Sequence, residues 1–287
     1  MVIRDVLKYG SDILKKNGID SLDARVLLKF ACGYDEIGIS VNSGCELSDE
    51  LLQKYISYIN RRANHEPVAY ITGSREFMSL DFDVEPGILI PRPETEHIVE
   101  YILDKYSDST SKKINILDVC TGSGIIAVSL AHYLKNADVT AIDISPVAVK
   151  VAKQNAKKHG VYGRVNVLEA DALGQYNFGK YFDVVVSNPP YIKSEDVLNL
   201  ETDVADFEPH IALDGGNDGL AFYRKICQNA FDVLSQNGLL VFEIGYDQGN
   251  DIRSILSEKY TKIEVLKDFA GNDRVALAQK IDNGDYI

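Results

Sequence analysis

The 287-residue chain has no tryptophan, two methionines and four cysteines, and its 30 Lys and Arg are outnumbered by 43 Asp and Glu. Each shortage excludes something. Cys32, Cys45, Cys120 and Cys227 are scattered, with no CxxC pair and no His/Cys cluster. Neither a zinc site nor a disulfide framework is expected, and a reducing compartment fits. No apolar run approaches the ~18–20 residues that a membrane span requires. The start, Met1-Val2-Ile3-Arg4-Asp5-Val6, lacks the basic and apolar regions of a signal peptide. A cytoplasmic protein with no membrane partner is expected. The formal net charge of −13 leaves little cationic surface for phosphate, so direct DNA binding is not expected.

The remaining composition, 45% hydrophobic and 25% charged, is that of an ordinary globular protein. The length allows one large domain and a smaller one. Residues 1–74 read as a helical domain. Val6, Ile13 and Leu14 mark one apolar stripe, closed by Gly18; Ala24, Leu27, Leu28 and Ala31 mark a second, with Ser21 as its cap. Ser48 caps a third, carrying Leu51, Leu52, Tyr55, Ile56 and Ile59. These stripes read most simply as a bundle core. Residues 75–91 read as a β-hairpin linker, because Glu76 to Val84 alternates apolar and polar positions before Gly87. Residues 92–287 read as a second domain in which strands and helices alternate. Strands are expected at 114–119, 139–142, 165–168, 182–186, 239–244, 262–268 and 274–280. The fold class is therefore α/β, a doubly wound seven-stranded sheet with an antiparallel hairpin at its edge.

Four motifs carry chemistry. Asp118-Val119-Cys120-Thr121-Gly122-Ser123-Gly124 places a glycine turn between a strand and a helix, where a ligand can approach the backbone. Gly122 to Ala127 also satisfies G-x-G-x-x-A, which leaves a dinucleotide open. Asp118 favours S-adenosylmethionine, because a carboxylate there attracts the methionine ammonium group and does nothing for a pyrophosphate. Asp143, about 20 residues on, ends the next strand and suits ribose hydroxyls, although it also suits a helix cap. Asp171 and Ala172 follow the third strand, where an acid accepts the adenine amino group or simply closes a turn. Ser187-Asn188-Pro189-Pro190-Tyr191 follows the fourth strand, and its prolines make a stiff loop rich in carbonyl acceptors. Asn188 Oδ1 and the Pro189 carbonyl can accept both protons of an NH2 group, and Tyr191 can stack on a planar substrate.

Asn188-Pro189-Pro190-Tyr191 resembles the signature of methyltransferases acting on amino and amide nitrogens. More narrowly, the chain is similar to the release-factor glutamine methyltransferase family. The resemblance rests on His65 to Gly73 with Arg75-Glu76-Phe77, on Leu89 to Glu96, on Phe207-Glu208-Pro209 with Gly215-Gly216 and Asp218-Gly219-Leu220, and on Asp268 to Arg274. It spans about residues 65–280. It implies a class I, Rossmann-like S-adenosylmethionine methyltransferase domain behind a substrate-recognising helical domain. It also implies methylation of the glutamine in the Gly-Gly-Gln motif of bacterial class I release factors. Asn188, Pro189 and Tyr191 would be catalytic, with Pro190 also at the substrate. Asp118, Cys120 to Gly124, Asp143, Asp171, Ala172 and Asn188 would hold the cofactor. Two positions depart from the family: Cys120 and His65 each stand where glycine is common. Three competing readings remain: a DNA adenine methyltransferase with a similar loop on a flipped base, an NAD-dependent oxidoreductase, and a binding module without catalysis.

Overall fold

The computed structural model describes residues 1–107 and 112–281, so residues 108–111 and 282–287 of the expected 92–287 domain lie outside the described residues. In chain order the first helices are α1 (Ile3–Lys16), α2 (Leu22–Cys32), α3 (Glu36–Val41), α4 (Asp49–Ala63) and α5 (Val68–Thr72). A hairpin follows, β1 (Ser74–Phe77) and β2 (Leu80–Asp83), then α6 (Glu96–Tyr106), β3 (Ile114–Val119), α7 (Ile125–Tyr133), β4 (Ala137–Asp143) and α8 (Pro146–Lys158). The chain continues with β5 (Val165–Glu169), β6 (Phe182–Ser187), α9 (Ser194–Val197), α10 (Thr202–Ala205), α11 (Ala221–Val233), β7 (Leu234–Glu243), α12 (Gly249–Ser257), β8 (Tyr260–Lys267) and β9 (Asp273–Lys280).

The chain divides into two compact units. The first is Met1–Ser74 together with Glu201–Phe207. Its core buries Val6, Leu14, Ala24, Leu27, Leu28, Ala31, Tyr55 and Ile59, the apolar stripes of α1, α2 and α4. Ser48 caps α4 by accepting from Leu51 N. Ser21 does not cap α2: its backbone is already helical, and Asp20 Oδ1 accepts from Leu22 N instead. The inclusion of Glu201–Phe207 has a specific anchor. Buried Arg62 bridges Asp23 and Asp203, each at 2.7 Å, and His65 Nδ1 lies 2.9 Å from Asp203.

The second unit holds a seven-stranded sheet in the order β5-β4-β3-β6-β7-β9-β8. β5, β4, β3, β6 and β7 run parallel, and β9 is antiparallel to both β7 and β8. This is the doubly wound sheet with an antiparallel edge that the strand pattern implies. Strand alternation assigns the two faces. Ile114, Ile116, Val139, Val184 and Val241 pack with α6, α7 and α8. Leu117, Val119, Val185, Leu240 and Phe242 pack with α11 and α12. β7 begins at Leu234, five residues earlier than its apolar run suggests, because a register shift lets Leu234 pair with Phe182. The hairpin is built into this unit, with Phe77 and Phe82 in the core of the first face. The order reverses between β3 and β6, which opens a crevice at the carboxyl ends of these two strands.

Candidate active site

Beyond the carboxyl ends of the parallel strands lies a cavity of about 330 Å³, a size suited to a small-molecule ligand. Cys120, Thr121, Gly122 and Ser123 line it from the β3–α7 turn. Asp143 contributes from the end of β4, Asp171 and Ala172 from beyond β5, and Asn188 and Pro190 from beyond β6. Asp118, Gly124, Pro189 and Tyr191, also singled out from the sequence, are not among the lining residues.

Asp118 and Tyr191 make contacts beneath and behind this wall. Asp118 shares the strand face of Ile114 and Ile116, points under the turn, and is 0% exposed. Its Oδ2 accepts from Thr121 Oγ1 at 2.6 Å and from Ala127 N at 3.1 Å. Its Oδ1 is buried and has no partner among the described residues. Burial pushes the Asp118 carboxyl up to about 7 against the pull of those two donors, with the charge of Asp143 adding to the rise. Asp143 braces the turn from its other side, its Oδ2 accepting from Gly122 N and its Oδ1 from Ser145 N, both at 2.9 Å. Asn155, buried on α8, adds a third brace: its Nδ2 donates to Ser123 O at 2.8 Å and to Asp83 O at 3.0 Å. Nothing in the local sequence around Asn155 announces this. Tyr191 packs against the core of the α11 face, and burial raises its phenol. Its carbonyl accepts from Gln248 Nε2 at 3.0 Å.

The loop after β6 is oriented by residues far away in the chain. Thr95, buried ahead of α6, donates Oγ1 to Glu243 Oε2 at 2.6 Å. Asn188 Nδ2 lies 3.1 Å from the same Oγ1. A hydroxyl carries one proton. If Thr95 gives it to Glu243, Thr95 can only accept from Asn188, and that makes the near atom of the amide its nitrogen. Oδ1 is then the Asn188 acceptor left for a ligand. Glu243 ends β7 on the face of Leu239 and Val241 and is 1% exposed. Burial pushes it up to about 7, opposed by Thr95 and Arg274 and assisted by Glu94. The cavity rim at Ile88 to Arg92 has a similar anchor in Glu208, which accepts from Ile90 N at 3.0 Å and pairs with Arg92. Sequence reading missed Thr95, Glu208 and Glu243 as site residues. A signal existed for Glu243, a lone acid between Phe242 and Ile244 in an apolar strand.

Comparison with known proteins decides the family. Residues 5–73 match the family described as the PrmC N-terminal domain, and residues 99–205 match the methyltransferase small domain. The release factor glutamine methyltransferase of Clostridium acetobutylicum is 43% identical over 282 residues, covering 97% of this chain and 98% of that one. The chain belongs to the release factor glutamine methyltransferase family. The enzyme of the same name from Neisseria gonorrhoeae is 38% identical, covering 91% of this chain and 94% of its own. Among solved structures, a methyltransferase from Pyrococcus furiosus shares the fold, with a TM-score of 0.53 at 21% identity, covering 78% of this chain and 99% of that one.

Cys120 and His65, where the resemblance implies glycine, both sit at positive φ, +61° and +67°, a backbone region that favours glycine. Burial and the nearby charges of Asp143 and Asp118 raise the Cys120 thiol well above its ordinary value, so it is held as an unreactive thiol. Gly124 is different, because its φ is +84° and an added Cβ would lie 3.0 Å from Ala152 Cβ and 3.1 Å from Ala152 Cα. Gly124→Ala is therefore expected to lower stability by about 2–4 kcal/mol, from a left-handed penalty plus overpacking of α7 on α8. Cys120→Gly should change it by less than about 1 kcal/mol, since relief of strain is offset by a floppier unfolded chain. Urea denaturation of both variants checks this. Equal losses would contradict the contrast drawn between the two positions.

Proposed function

We propose that the chain methylates the side-chain amide nitrogen of the glutamine in the Gly-Gly-Gln motif of class I peptide chain release factors, with S-adenosylmethionine as donor. The observation that carries this reading is Asn188. Asn188 lines the cavity that Gly122 and Asp143 also line, and with its Nδ2 3.1 Å from Thr95 Oγ1 its Oδ1 is the acceptor left for a ligand. The relatives' names point to the same substrate class. The residues fit the cofactor in kind. Gly122 offers a turn where an added Cβ meets nothing within 4 Å, so backbone can be approached closely. Asp143 keeps lone pairs for ribose hydroxyls beyond the two backbone N–H groups it already accepts, and Asp171, also on the cavity wall, would take the adenine amino group. Asp118 acts from beneath, holding the turn and setting its field.

S-adenosylmethionine supplies a methyl group activated on a sulfonium and leaves as the neutral thioether. An amide nitrogen is a poor nucleophile because its lone pair is delocalised, so position and electrostatics must do most of the work. Asn188 Oδ1 and the Pro189 carbonyl accept the two N–H groups and hold the nitrogen in place. No histidine is among the residues lining the cavity, which suits loss of the proton to water after transfer. The helical unit recognises the protein, since one glutamine side chain offers too little binding energy. A DNA adenine methyltransferase, left open by Asn188 to Tyr191, is disfavoured by the −13 charge.

Tritiated S-adenosylmethionine and a purified class I release factor test the reading. Label should map to the glutamine of the Gly-Gly-Gln motif and vanish when that glutamine is replaced by alanine. Label at any other residue would overturn the assignment. Asp143→Ala should weaken S-adenosylmethionine binding at least about tenfold, given on the order of 1.5–3 kcal/mol per charge-assisted hydrogen bond. Unchanged affinity by calorimetry would remove Asp143 from the ribose role.

A further inference from the structure

Glu243 is a buried acid that the chemistry above does not use. Among the described residues it makes no ion pair, and Arg274 on β9, the cation that lowers it, is engaged 3.1 Å from Asp268. A buried carboxylate without a counter-ion costs stability, and a glutamine or leucine on β7 would avoid that cost. Its closest side-chain hydrogen bond goes to Thr95, which in turn meets Asn188, and the Asn188 amide is also within reach of the carboxylate.

We propose that Glu243, acting through Thr95, is a positioning residue that sets which end of the Asn188 amide faces the substrate. The proposal rests on the reading that Asn188 Oδ1 accepts a substrate N–H. As a carboxylate, Glu243 can only accept. Thr95 then donates to it and accepts from Asn188 Nδ2, and Oδ1 is left for the incoming NH2 group. As a carboxylic acid, Glu243 can donate to Thr95 Oγ1. The Thr95 proton is then free for Asn188 Oδ1, the amide turns over, and its own NH2 faces the substrate NH2. Two sets of donors cannot bond, so the protonated form is inactive.

The groups facing Glu243 set where this switch lies. Arg274 from β9 lowers it, Glu94 from the turn before α6 raises it, and Thr95 and Asn188 lower it by hydrogen bonding. Tyr191 from the loop and Tyr223 from α11, whose hydroxyl donates to the Glu243 carbonyl at 2.9 Å, stand nearby as neutral phenols. Burial outweighs the rest and pushes Glu243 up to about 7. Because the carboxylate is the active form, kcat falls as pH drops through that value and is level above it.

The experiment measures kcat and KM for a purified class I release factor at saturating S-adenosylmethionine, on both sides of neutral pH. The wild-type kcat should fall about tenfold per pH unit on the acid side, as for one essential proton. Glu243→Gln keeps an acceptor for Thr95 and should remain active while losing that acid limb. Thr95→Val should lower kcat about tenfold, the effect of one lost hydrogen bond, with cofactor affinity by calorimetry unchanged. Thr95→Ser should restore both the rate and the limb. A purely structural role would not be rescued in this way or titrate. An acid limb that persists in Glu243→Gln belongs to another group, Asp118 being the other acid near 7, and overturns the proposal. So does a wild-type kcat that is level through neutral pH, which needs no variant to fold. Asn188→Ala in the same assay separates the two claims. If it loses activity while the limb tests fail, only the relay is wrong; if it turns over normally, the underlying reading of Asn188 is wrong as well.

Discussion

Asn188→Ala is expected to lower kcat by about a hundredfold or more while S-adenosylmethionine affinity falls less, the usual effect of removing one preorganised polar group from a reacting centre. The separation of effects follows from position. The turn that would hold the cofactor is braced by Asp118, Asp143 and Asn155 without help from Asn188. Asn188→Asp is the sharper substitution. It keeps an acceptor oxygen but replaces Nδ2, the group that donates to Thr95 Oγ1 at 3.1 Å. The new carboxylate faces a hydroxyl whose proton is already given to Glu243, so two acids compete for one donor in a buried setting. A second charge near the sulfonium also stabilises the ground state that transfer must discharge. Binding without turnover is the expected result, read by calorimetry and single-turnover kinetics. Near-normal turnover in both variants would remove Asn188 from the mechanism.

Deleting the residues before Arg75 is expected to abolish methylation of the intact release factor, lowering kcat/KM by about a hundredfold or more, while S-adenosylmethionine still binds. Loss of a protein-recognition surface of even modest quality is on the order of 3 kcal/mol or more. Cofactor binding should survive because every residue lining the cavity comes from Gly87 onward and none from Glu201–Phe207. The cut also strips Asp203 of Arg62 and His65. A companion variant, Asp203→Ala in the full chain, therefore measures how much of any loss comes from that segment alone. Full kcat/KM in the shortened chain would refute the recognition role of the helical unit.

Much of this protein was legible in one dimension. The apolar runs of β3 and β6 announce parallel strands buried on both faces, and their observed bounds, Ile114–Val119 and Phe182–Ser187, fall within a residue of those runs. The Gly122-Ser123-Gly124 turn, Asp143 and the Asn188 to Tyr191 loop follow strands directly, so chain order alone predicts that they meet at one end of the sheet. Capping is less certain from sequence, because Asp20, Ser21 and Asp23 all suit the start of α2 and backbone geometry chose Asp20.

Other features depend on contacts between parts of the chain that no local pattern connects. Thr95 meets Asn188 across 93 positions and Glu243 across 148. These three converge only because β6 and β7 are neighbours in the sheet and α6 is packed against the same face. Asn155 reaches Ser123 and Asp83 from the middle of a helix whose sequence reads as ordinary. Glu201–Phe207 joins the N-terminal unit through Arg62, some 140 positions earlier, and Cys120 shows its strain only once its φ is known. The sequence by itself determined the elements, the loop chemistry and the family, because hydrophobic period, turn residues and motif spacing are local. The tertiary structure decided which groups meet around Asn188, Thr95 and Glu243 among them, because packing chooses hydrogen-bond partners that no local pattern connects.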